Sequence, residues 1–459
     1  MGTWAPLLSR GEKPIYLAIA DAILEDVRTG RLAPGARLPA QRDLAKALGV
    51  DFTTVTRGYA EARRRGLISA RVGQGTFVTR PVLGDSETGV THSLVDMSMN
   101  APPPLEDARH VARMWRGLAA LEQEHGEALL FRYQSPAGAP KDRVAGVAWL
   151  RERIDDIAVE RLVVSAGVQA ASVAVLGEVA SAGEPICAPA LTYPGLRVAA
   201  GHLGLGLVDV AMDEEGATPD SFERVCREVG PKAFYCTPTL QNPTTATMSI
   251  ERRREMARIA RRYGVMLVED DIYGKLPQAP PPALANFAPE RTWHIAGLAK
   301  TVSPALRIAY VVAPDARGAD RLAAGLRALT GMASPITAAL ATRWIRDGTA
   351  TETLKAIQTE TAARRRIAAD ALGPEHLACE AFHLWLPLPK GWSRAVFYEE
   401  LVRRRISVVP SDAFAITSHP PEAVRIGLGA ASTREELSRA MERVRQVLDG
   451  PRTWSSAIV

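Results

Sequence analysis

The stretch Val265-Met266-Leu267-Val268-Glu269-Asp270-Asp271-Ile272-Tyr273 joins an apolar run to adjacent carboxylates and a phenol. Helical patterns separate it from four similar apolar runs, at residues 162–164, 185–187, 233–236 and 308–312. Short, nearly continuous apolar strands spaced by helices are typical of an α/β domain with a mostly parallel sheet. The stretch therefore predicts that fold class. It also places Asp270 at the carboxyl end of a strand, where α/β folds bind ligands.

The composition indicates a soluble, multidomain protein. Of the 459 residues, 47% are hydrophobic and 23% charged, which suits two or three domains. No run approaches the roughly 18 apolar residues of a membrane span, and the first residues lack a signal-peptide pattern. The four cysteines are scattered without CxxC spacing, at Cys187, Cys226, Cys236 and Cys379. We therefore expect no metal site, no disulfide framework, no membrane partner and a cytoplasmic location.

The excess positive charge is concentrated at the N-terminus. Residues 1–80 carry 13 Lys and Arg against 7 Asp and Glu, whereas the rest of the chain is almost balanced. This asymmetry indicates a polyanion-binding module joined to a neutral body. A solvated basic face explains the same charge almost as well, so charge alone does not decide between them.

Residues 1–80 have the pattern of a small helical domain. Apolar residues at helical spacing predict a helix that ends near Gly30, a short helix that Gly49 stops, and a third from Phe52 to Arg65. Two short strands flank Gly73-Gln74-Gly75 and predict a hairpin. Three helices followed by a hairpin are the outline of a winged helix-turn-helix.

The third helix has two distinct faces. One face carries Val55, Tyr59 and Ala62, and the opposite face carries Thr53, Arg57 and Arg64. The polar face suits a phosphate-lined groove, in which Arg also reads guanine edges. Arg42 suits a backbone phosphate, and the Gly73–Gly75 tip suits a minor groove. The helix pattern alone also fits a solvated face on a packing domain.

The sequence of this module resembles the winged helix of the GntR superfamily over about 65 residues. The matching segments are LPAQRDLA (38–45), TTV (53–55), Tyr59, GLI (66–68) and GQGTFV (73–78). The resemblance implies promoter DNA binding through Arg42, Thr53, Thr54, Arg57, Gly73 and Gln74. It departs from the family at Asp51-Phe52, where relatives often carry a hydroxyl residue and an arginine. The family's base contacts at the start of this helix are therefore not assigned here.

A linker and a larger domain are predicted to follow. Residues 81–104 are rich in Gly, Ser, Thr, Asp and Pro, which is typical of a linker. Residues 105–459 then form the α/β domain. Its last part, after about residue 350, has a long helix and strands near 383–386 and 406–409, which predict a smaller α+β lobe.

Several polar residues of the large domain lie at the ends of predicted strands, and each is weak evidence alone. Lys300 lies in GLAKT (297–301), with Arg307 seven residues later. Asp270 and Tyr273 follow the strand that ends at Val268, and Asn242 follows the strand at 233–236. Gly167-Val168-Gln169 joins a strand to a helix. Singly, these are explained as a surface lysine, loop polarity and ordinary turns. Together they supply what pyridoxal phosphate needs: a Schiff-base amine, a carboxylate for the pyridine nitrogen, donors for the ring oxygen and a phosphate nest.

From about residue 110 onward the chain resembles a fold-type-I aminotransferase. The resemblance implies that Lys300 forms the Schiff base, that Asp270 pairs with the pyridine nitrogen, and that Tyr273 and Asn242 bind the ring oxygen. It further implies that Tyr193 stacks on the ring, that the backbone of Val168 and Gln169 holds the phosphate with Arg307, and that Arg425 clamps a carboxylate. Relatives commonly have hydroxyl residues at Gly297 and Ala299, so the phosphate is held more loosely here or by other groups.

The winged helix, linker and aminotransferase-like body together resemble the MocR subfamily of bacterial regulators. This resemblance implies a transcription factor that senses a small amino compound as an external aldimine with pyridoxal phosphate, and a head-to-tail homodimer. Arg425 suggests an effector with an anionic end, unless it pairs with an internal carboxylate. An aminotransferase acting on an amino acid, with an appended helical domain, is the alternative, since no catalytic group is missing. We expect at most weak transamination. A plain GntR repressor with a degenerate body is disfavoured because the cofactor residues are intact.

Overall fold

A computed structural model describes Trp4, Pro6 and residues 14–28, 31–32, 36–64, 67–71, 75–78, 94–374 and 380–450. The chain divides into two compact units, Met1–Ser93 and Leu94–Val459. Within the described residues, no helix is both long enough and apolar enough to cross a membrane.

The described part of the first unit consists of α1 (Ile15–Arg28), α2 (Gln41–Leu48), α3 (Phe52–Arg64) and the antiparallel pair β1 (Ile68–Arg71) and β2 (Gly75–Val78). Its core includes the fully buried Ile19, Val55 and Tyr59. Helices α1 and α3 approach closely because residue 58 is glycine: a Cβ there would lie 3.0 Å from the Ile19 side chain. Gly49 ends α2 in the left-handed conformation, as expected. The predicted winged helix-turn-helix is confirmed.

The second unit alternates helices and strands. Its helices are α4 (Ala108–His125), α5 (Ala128–Phe131), α6 (Pro140–Leu150), α7 (Val168–Val179), α8 (Pro194–Leu203), α9 (Pro219–Glu228), α10 (Ile250–Tyr263), α11 (Ala316–Thr330), α12 (Pro335–Arg346), α13 (Thr349–Leu372), α14 (Arg394–Arg403) and α15 (Arg434–Asp449). Its strands are β3 (Val95–Asp96), β4 (Leu162–Ser165), β5 (Pro185–Pro189), β6 (Gly206–Val210), β7 (Met212–Asp213), β8 (Gly216–Ala217), β9 (Ala233–Cys236), β10 (Met266–Asp270), β11 (Thr292–Gly297), β12 (Ala309–Val312), β13 (His383–Pro387), β14 (Ile406–Ser407), β15 (Val409–Pro410) and β16 (Ala423–Gly427).

A seven-stranded sheet organises this unit, in the order β4-β12-β11-β10-β9-β5-β6. Neighbouring strands are parallel except for β12, which is antiparallel to both β11 and β4. Successive residues of β10, Leu267 and Val268, enter separate apolar cores because side chains alternate across a strand. The predicted mostly parallel sheet is confirmed.

A smaller lobe follows helix α13. Its antiparallel sheet has the order β13-β16-β15, and α14 and α15 pack with it around Phe397, Leu437 and Met441. This arrangement agrees with the predicted α+β lobe. It also places Arg425, in the middle of β16, at a buried position.

The predicted linker over residues 81–104 is too long, because residues 94–104 belong to the second unit. Strand β3 pairs in parallel with β14, and the side chain of Asn100 is buried. Composition describes the local preference of a segment, whereas partners distant in the sequence hold these residues in place. The prediction was wrong at this end for that reason.

Candidate functional site

A cavity of about 510 Å³ lies where several strands of the large sheet end. Gly167 follows β4, Asn242 follows β9, Asp270 ends β10 and Lys300 follows β11. All residues predicted to bind the cofactor or effector line this cavity: Val168, Gln169, Tyr193, Asn242, Asp270, Tyr273, Lys300, Arg307 and Arg425. The sheet therefore gathers residues that the sequence places far apart.

Lys300 has the properties of a nucleophilic amine. Its Nζ donates a hydrogen bond to the backbone oxygen of Asn100. Burial is the main reason that the pKa of Lys300 falls from its usual 10.5 to about 8; the charges of Arg425 and Arg307 contribute to this decrease, and the charge of Asp270 opposes it. Because only the unprotonated amine attacks a carbonyl carbon, a pKa of about 8 leaves roughly a tenth of it reactive at pH 7.

Asp270 offers one unpartnered carboxylate oxygen to the cavity. Its Oδ2 accepts a hydrogen bond from Tyr235 at 2.6 Å, whereas its Oδ1 is buried and has no hydrogen-bond partner among the described residues. Burial raises the pKa of Asp270 to about 6, although the hydrogen bonds from Tyr235 and the Ile272 backbone oppose the rise. Asp271 differs, because Arg153 Nε holds its Oδ2 at 2.8 Å. A buried acceptor without a donor fits the protonated nitrogen of a pyridine ring.

The hydroxyl of Tyr273 is held by a residue that the sequence had placed in the linker. Asn100 Nδ2 donates to Tyr273 Oη at 2.8 Å and lies 3.2 Å from His383 Nδ1. Burial lowers the pKa of His383 to about 3, and the charge of Arg425 adds to the effect, so its imidazole is neutral at physiological pH. Since Tyr273 accepts from Asn100, its own proton is left for an acceptor in the cavity. Asn100, His383 and Tyr235 are site residues that sequence reasoning missed.

Arg425 is a buried cation with no carboxylate partner among the described residues. Its Nη1 donates to Asn242 Oδ1 at 2.7 Å and its Nη2 to the Ser98 backbone oxygen at 2.6 Å. Its guanidinium carbon lies 4.8 Å from the centre of the Phe414 ring, and its buried Nε has no partner among the described residues. Burial lowers the pKa of Arg425. Neutral groups orient this guanidinium, and its charge is left uncompensated.

The start of α7 and Arg307 form a concave end of the cavity. Gly167 has a φ of +94°, and a Cβ there would lie 3.5 Å from the Arg307 guanidinium. The first N–H groups of α7 have no partner within the helix, which together with the guanidinium suits a phosphate. A side chain at residue 297 has no room, because its Cβ would lie 2.4 Å from Val168 Cγ2. This contact leaves no space for the hydroxyl residue that the resemblance to aminotransferases leads us to expect at residue 297.

Tyr193 and Gln169 lie beside one another at the same cavity. A Cβ on Gly195 would come within 2.2 Å of Tyr193 Cε1, so the ring lies directly against that glycine. Burial raises the pKa of Tyr193, which keeps it a neutral phenol. Gln169 Nε2 donates to the Gly195 backbone oxygen at 3.0 Å, whereas its buried Oε1 has no hydrogen-bond partner among the described residues.

The predicted DNA-binding residues are only partly arranged as a single face. Thr53 and Arg57 are exposed one helical turn apart, but the Thr53 hydroxyl donates to Asp51 and the Arg57 guanidinium lies 4.6 Å from the centre of the Tyr16 ring. Arg42 is exposed as expected, whereas Thr54 is half-buried. The remaining two predicted residues, Gly73 and Gln74, lie outside the described residues.

Comparisons with known proteins match both units. Residues 94–444 match the family of class I and II aminotransferases, and residues 15–78 match the gntR family of bacterial regulatory proteins. An uncharacterized HTH-type transcriptional regulator of Bacillus subtilis, YdeF, is 31% identical over 97% of both chains. PdxR of Corynebacterium glutamicum, an HTH-type pyridoxine biosynthesis transcriptional regulator, is 25% identical over 77% of this chain and 78% of its own.

The large unit also shares its fold with solved aminotransferases. The α-aminoadipate aminotransferase LysN of Thermus thermophilus superposes with a TM-score of 0.69 at 22% identity, covering 77% of this chain and 92% of its own. Its structure holds N-(5'-phosphopyridoxyl)-L-leucine. Class I and II aminotransferases use pyridoxal phosphate, and the unpartnered Asp270 oxygen, the Lys300 amine and the cradle beside Arg307 fit that cofactor.

Proposed function

This chain belongs to the MocR subfamily of GntR-type regulators, and we propose that it binds promoter DNA through its first unit and senses a small amino compound through its second. The observation that carries the proposal is one cavity lined by all of the predicted cofactor residues, in a chain that also has a winged helix. Because promoter DNA is its partner, we place its action in the bacterial cytoplasm.

Each cavity residue has a defined task in this proposal. Pyridoxal phosphate supplies an aldehyde that condenses with amines and a ring that withdraws electrons. Lys300 would supply the amine for the aldehyde, and Asp270 Oδ1 would accept a hydrogen bond from the pyridine nitrogen. Tyr273 would donate a hydrogen bond to the ring oxygen, with Asn242 beside it, and Tyr193 would lie against the ring. The backbone of Val168 and Gln169 and the Arg307 guanidinium would hold the phosphate.

We propose that the effector is a primary amine with an anionic end, such as an amino acid or a related ω-amino or sulfonic acid. The amine is needed to replace Lys300. The anion is needed because Arg425 is buried and its hydrogen-bond partners among the described residues are all neutral. A pairing of Arg425 with an internal carboxylate finds no support among the described residues. A buried cation that lacks a counter-charge is costly, so binding an anion there contributes strongly to affinity.

Exposed apolar side chains on α4, on α5 and just after α5 support a homodimer. Trp115 on α4 is 68% exposed, Leu130 and Phe131 on α5 are 64% and 81% exposed, and Tyr133 is 96% exposed. Large exposed aromatic side chains are typical of interfaces. We propose a second copy of the chain as the partner, in the head-to-tail arrangement of this subfamily. Light scattering of wild type and Trp115→Glu tests this, and a monomeric wild type would contradict it.

For DNA, we propose phosphate contacts from Arg42 and groove contacts from Thr53 and Arg57, with Thr54, Gly73 and Gln74 nearby. The exposure of Arg42, Thr53 and Arg57 supports these roles. Because Asp51 already accepts the Thr53 hydroxyl proton, Thr53 acts as an acceptor in the groove. Because Arg57 lies over Tyr16, its guanidinium is partly immobilised before DNA binds.

The decisive experiment measures cofactor and DNA in the same sample. The holoprotein is titrated with a panel of amines while the visible absorption band of the cofactor and the anisotropy of labelled promoter DNA are recorded. An effector should move both signals with one midpoint, and Lys300→Ala should lose the absorption band and the ligand effect on DNA. An amine that changes the band without any change in DNA affinity across the panel would contradict the sensing role.

Aminotransferase activity is the second candidate, because the cavity is complete. The 2-aminoadipate transaminase of Thermus thermophilus is 24% identical over 76% of this chain and 87% of its own. The measurement is steady-state turnover of an amino donor with a keto acid. We expect little or none; rates of about 1–10³ per second, the ordinary range of enzymes, would favour the enzyme.

A further inference from the structure

Phe52, the first residue of α3, is a large apolar side chain at a position where the fold does not bury it. It is 44% exposed, whereas Val55 and Tyr59, one and two turns later on the same face, are fully buried. The core of the first unit therefore ends before it reaches Phe52. A single exposed apolar side chain is unremarkable by itself, so its surroundings decide what it does.

Polar and cationic groups fix the position of Phe52. The guanidinium carbon of Arg42 lies 6.0 Å from the centre of the Phe52 ring. The Thr56 hydroxyl, one turn along α3, donates to Gln41 Oε1 at 2.8 Å and ties the start of α3 to the start of α2. The ring thus lies beside an exposed cation, at the junction of both helices of the helix-turn-helix.

This end of α3 is the end that meets base edges. In helix-turn-helix proteins the N-terminal residues of the recognition helix contact bases in the major groove. Asp51 precedes Phe52, but the Thr53 backbone N–H, at 2.7 Å, and the Thr53 hydroxyl both donate to its Oδ1. Those bonds lower the pKa of Asp51, so it stays ionised and engaged with the helix end.

A phenyl ring carries no hydrogen-bonding group, so it discriminates bases only by apolar contact. In the major groove, the C5-methyl group of thymine is the apolar group that a base pair presents. Arg42, beside the ring, supplies the phosphate contact that would fix its register. These features distinguish Phe52 from an apolar side chain that is exposed to solvent but has no role in binding.

We propose that Phe52 is a specificity-determining residue that reads a thymine in each operator half-site by packing its ring against the C5-methyl group. The inference rests on the proposed binding of promoter DNA and names one element of its sequence preference. Deleting one buried methyl group is expected to weaken binding about fourfold.

The test first selects binding sites from random duplex DNA with the full-length holoprotein. Each thymine of the selected site is then replaced by deoxyuridine, which removes only the methyl group, and dissociation constants are measured. The affinity of wild type should fall about fourfold when one particular thymine of each half-site is replaced. Phe52→Ala should bind the thymine duplex more weakly than wild type does, and its affinities for the thymine and uracil duplexes should be nearly equal, a ratio near one. For Phe52→Leu this ratio of affinities should lie between those of Phe52→Ala and wild type.

Lys46→Ala is the matched control, since it removes an exposed cation from α2 and should leave the ratio unchanged. No uracil effect in wild type, or a full effect in Phe52→Ala, overturns the inference. A change in oligomeric state with an intact ratio also overturns it, because Phe52 would then contact protein. If no sequence is enriched at all, the proposed DNA binding fails first and the inference fails with it.

Discussion

Replacing Gly297 with alanine should destabilise the second unit, because Val168 already occupies the space that the new methyl group needs. An ideal Cβ at residue 297 lies 2.4 Å from Val168 Cγ2, far inside the ordinary carbon–carbon contact of about 3.5–4.0 Å. A valine in a helix has one strongly preferred χ1 rotamer, so Val168 does not rotate away freely. The start of α7, which we propose as the phosphate cradle, has to move instead.

Overpacking of this kind costs about 1–3 kcal/mol of unfolding free energy. Val168→Ala alone removes two partly buried methyl groups and costs up to about 1.6 kcal/mol. In the double variant the opposing methyl groups are gone, so most of the Gly297→Ala cost should disappear. Urea unfolding of the four apoproteins, followed by circular dichroism, measures this coupling. Pyridoxal phosphate affinity, measured by titration, should follow the same pattern.

Gly177→Ala provides the matched control within α7. A Cβ at residue 177 would have its nearest neighbour, Leu203 Cδ2, at an ordinary 3.7 Å, so alanine should be neutral or slightly stabilising there. The reasoning is refuted if Gly297→Ala is as stable as wild type. It is also refuted if Gly297→Ala lowers the free energy of unfolding by the same amount whether residue 168 is Ala or Val.

Three further predictions concern single residues. Capture of pyridoxal phosphate by the apoprotein should accelerate with rising pH and level off above about 8, because the folded-state pKa of Lys300 is lowered to that value; a flat stopped-flow profile between about pH 6 and 9 argues against this. Asp270→Asn removes a charged acceptor and should weaken cofactor binding about 10- to 100-fold in titrations of the apoprotein. Tyr235→Phe changes only the partner of Asp270 Oδ2 and should weaken cofactor binding less. Arg42→Ala should weaken all DNA sequences alike and reduce the salt slope by about one in anisotropy titrations, and an unchanged slope would remove Arg42 from the phosphate contacts.

Periodicity and strand-end motifs predict both units, and the resemblance to fold-type-I aminotransferases adds the identities of the predicted cavity residues. They work because each depends on local spacing: α3 has a 3.6-residue repeat, Asp270 ends the apolar strand β10, and Lys300 precedes the apolar strand β12. Asn100 escapes such reasoning because its partners, Tyr273 and His383, are 173 and 283 residues away. No local pattern distinguishes it from the proline-rich residues around it.

Two other features depend on packing alone. Tyr235 lies inside an apolar strand and has the sequence signature of a core residue; only the neighbouring strand shows that its hydroxyl meets Asp270. The missing hydroxyl at Gly297 has a cause in the side chain of Val168, which approaches it from another element. Both are contacts between elements, and a single sequence carries no direct record of them.

The chain enters its second unit at the ligand cavity itself. The Asn100 backbone oxygen receives Lys300 and the Ser98 backbone oxygen receives Arg425, and both lie just after β3, the first strand beyond residues 79–93. A ligand that draws Lys300 and Arg425 away from these oxygens would therefore remove two contacts that hold the first residues of the second unit in place. In this view, the chain that connects the two units couples ligand binding in the second unit to DNA binding by the first. We expect a Gly-Ser insertion within residues 81–93 to leave effector and DNA binding intact, in the same two titrations, while abolishing the response of one to the other.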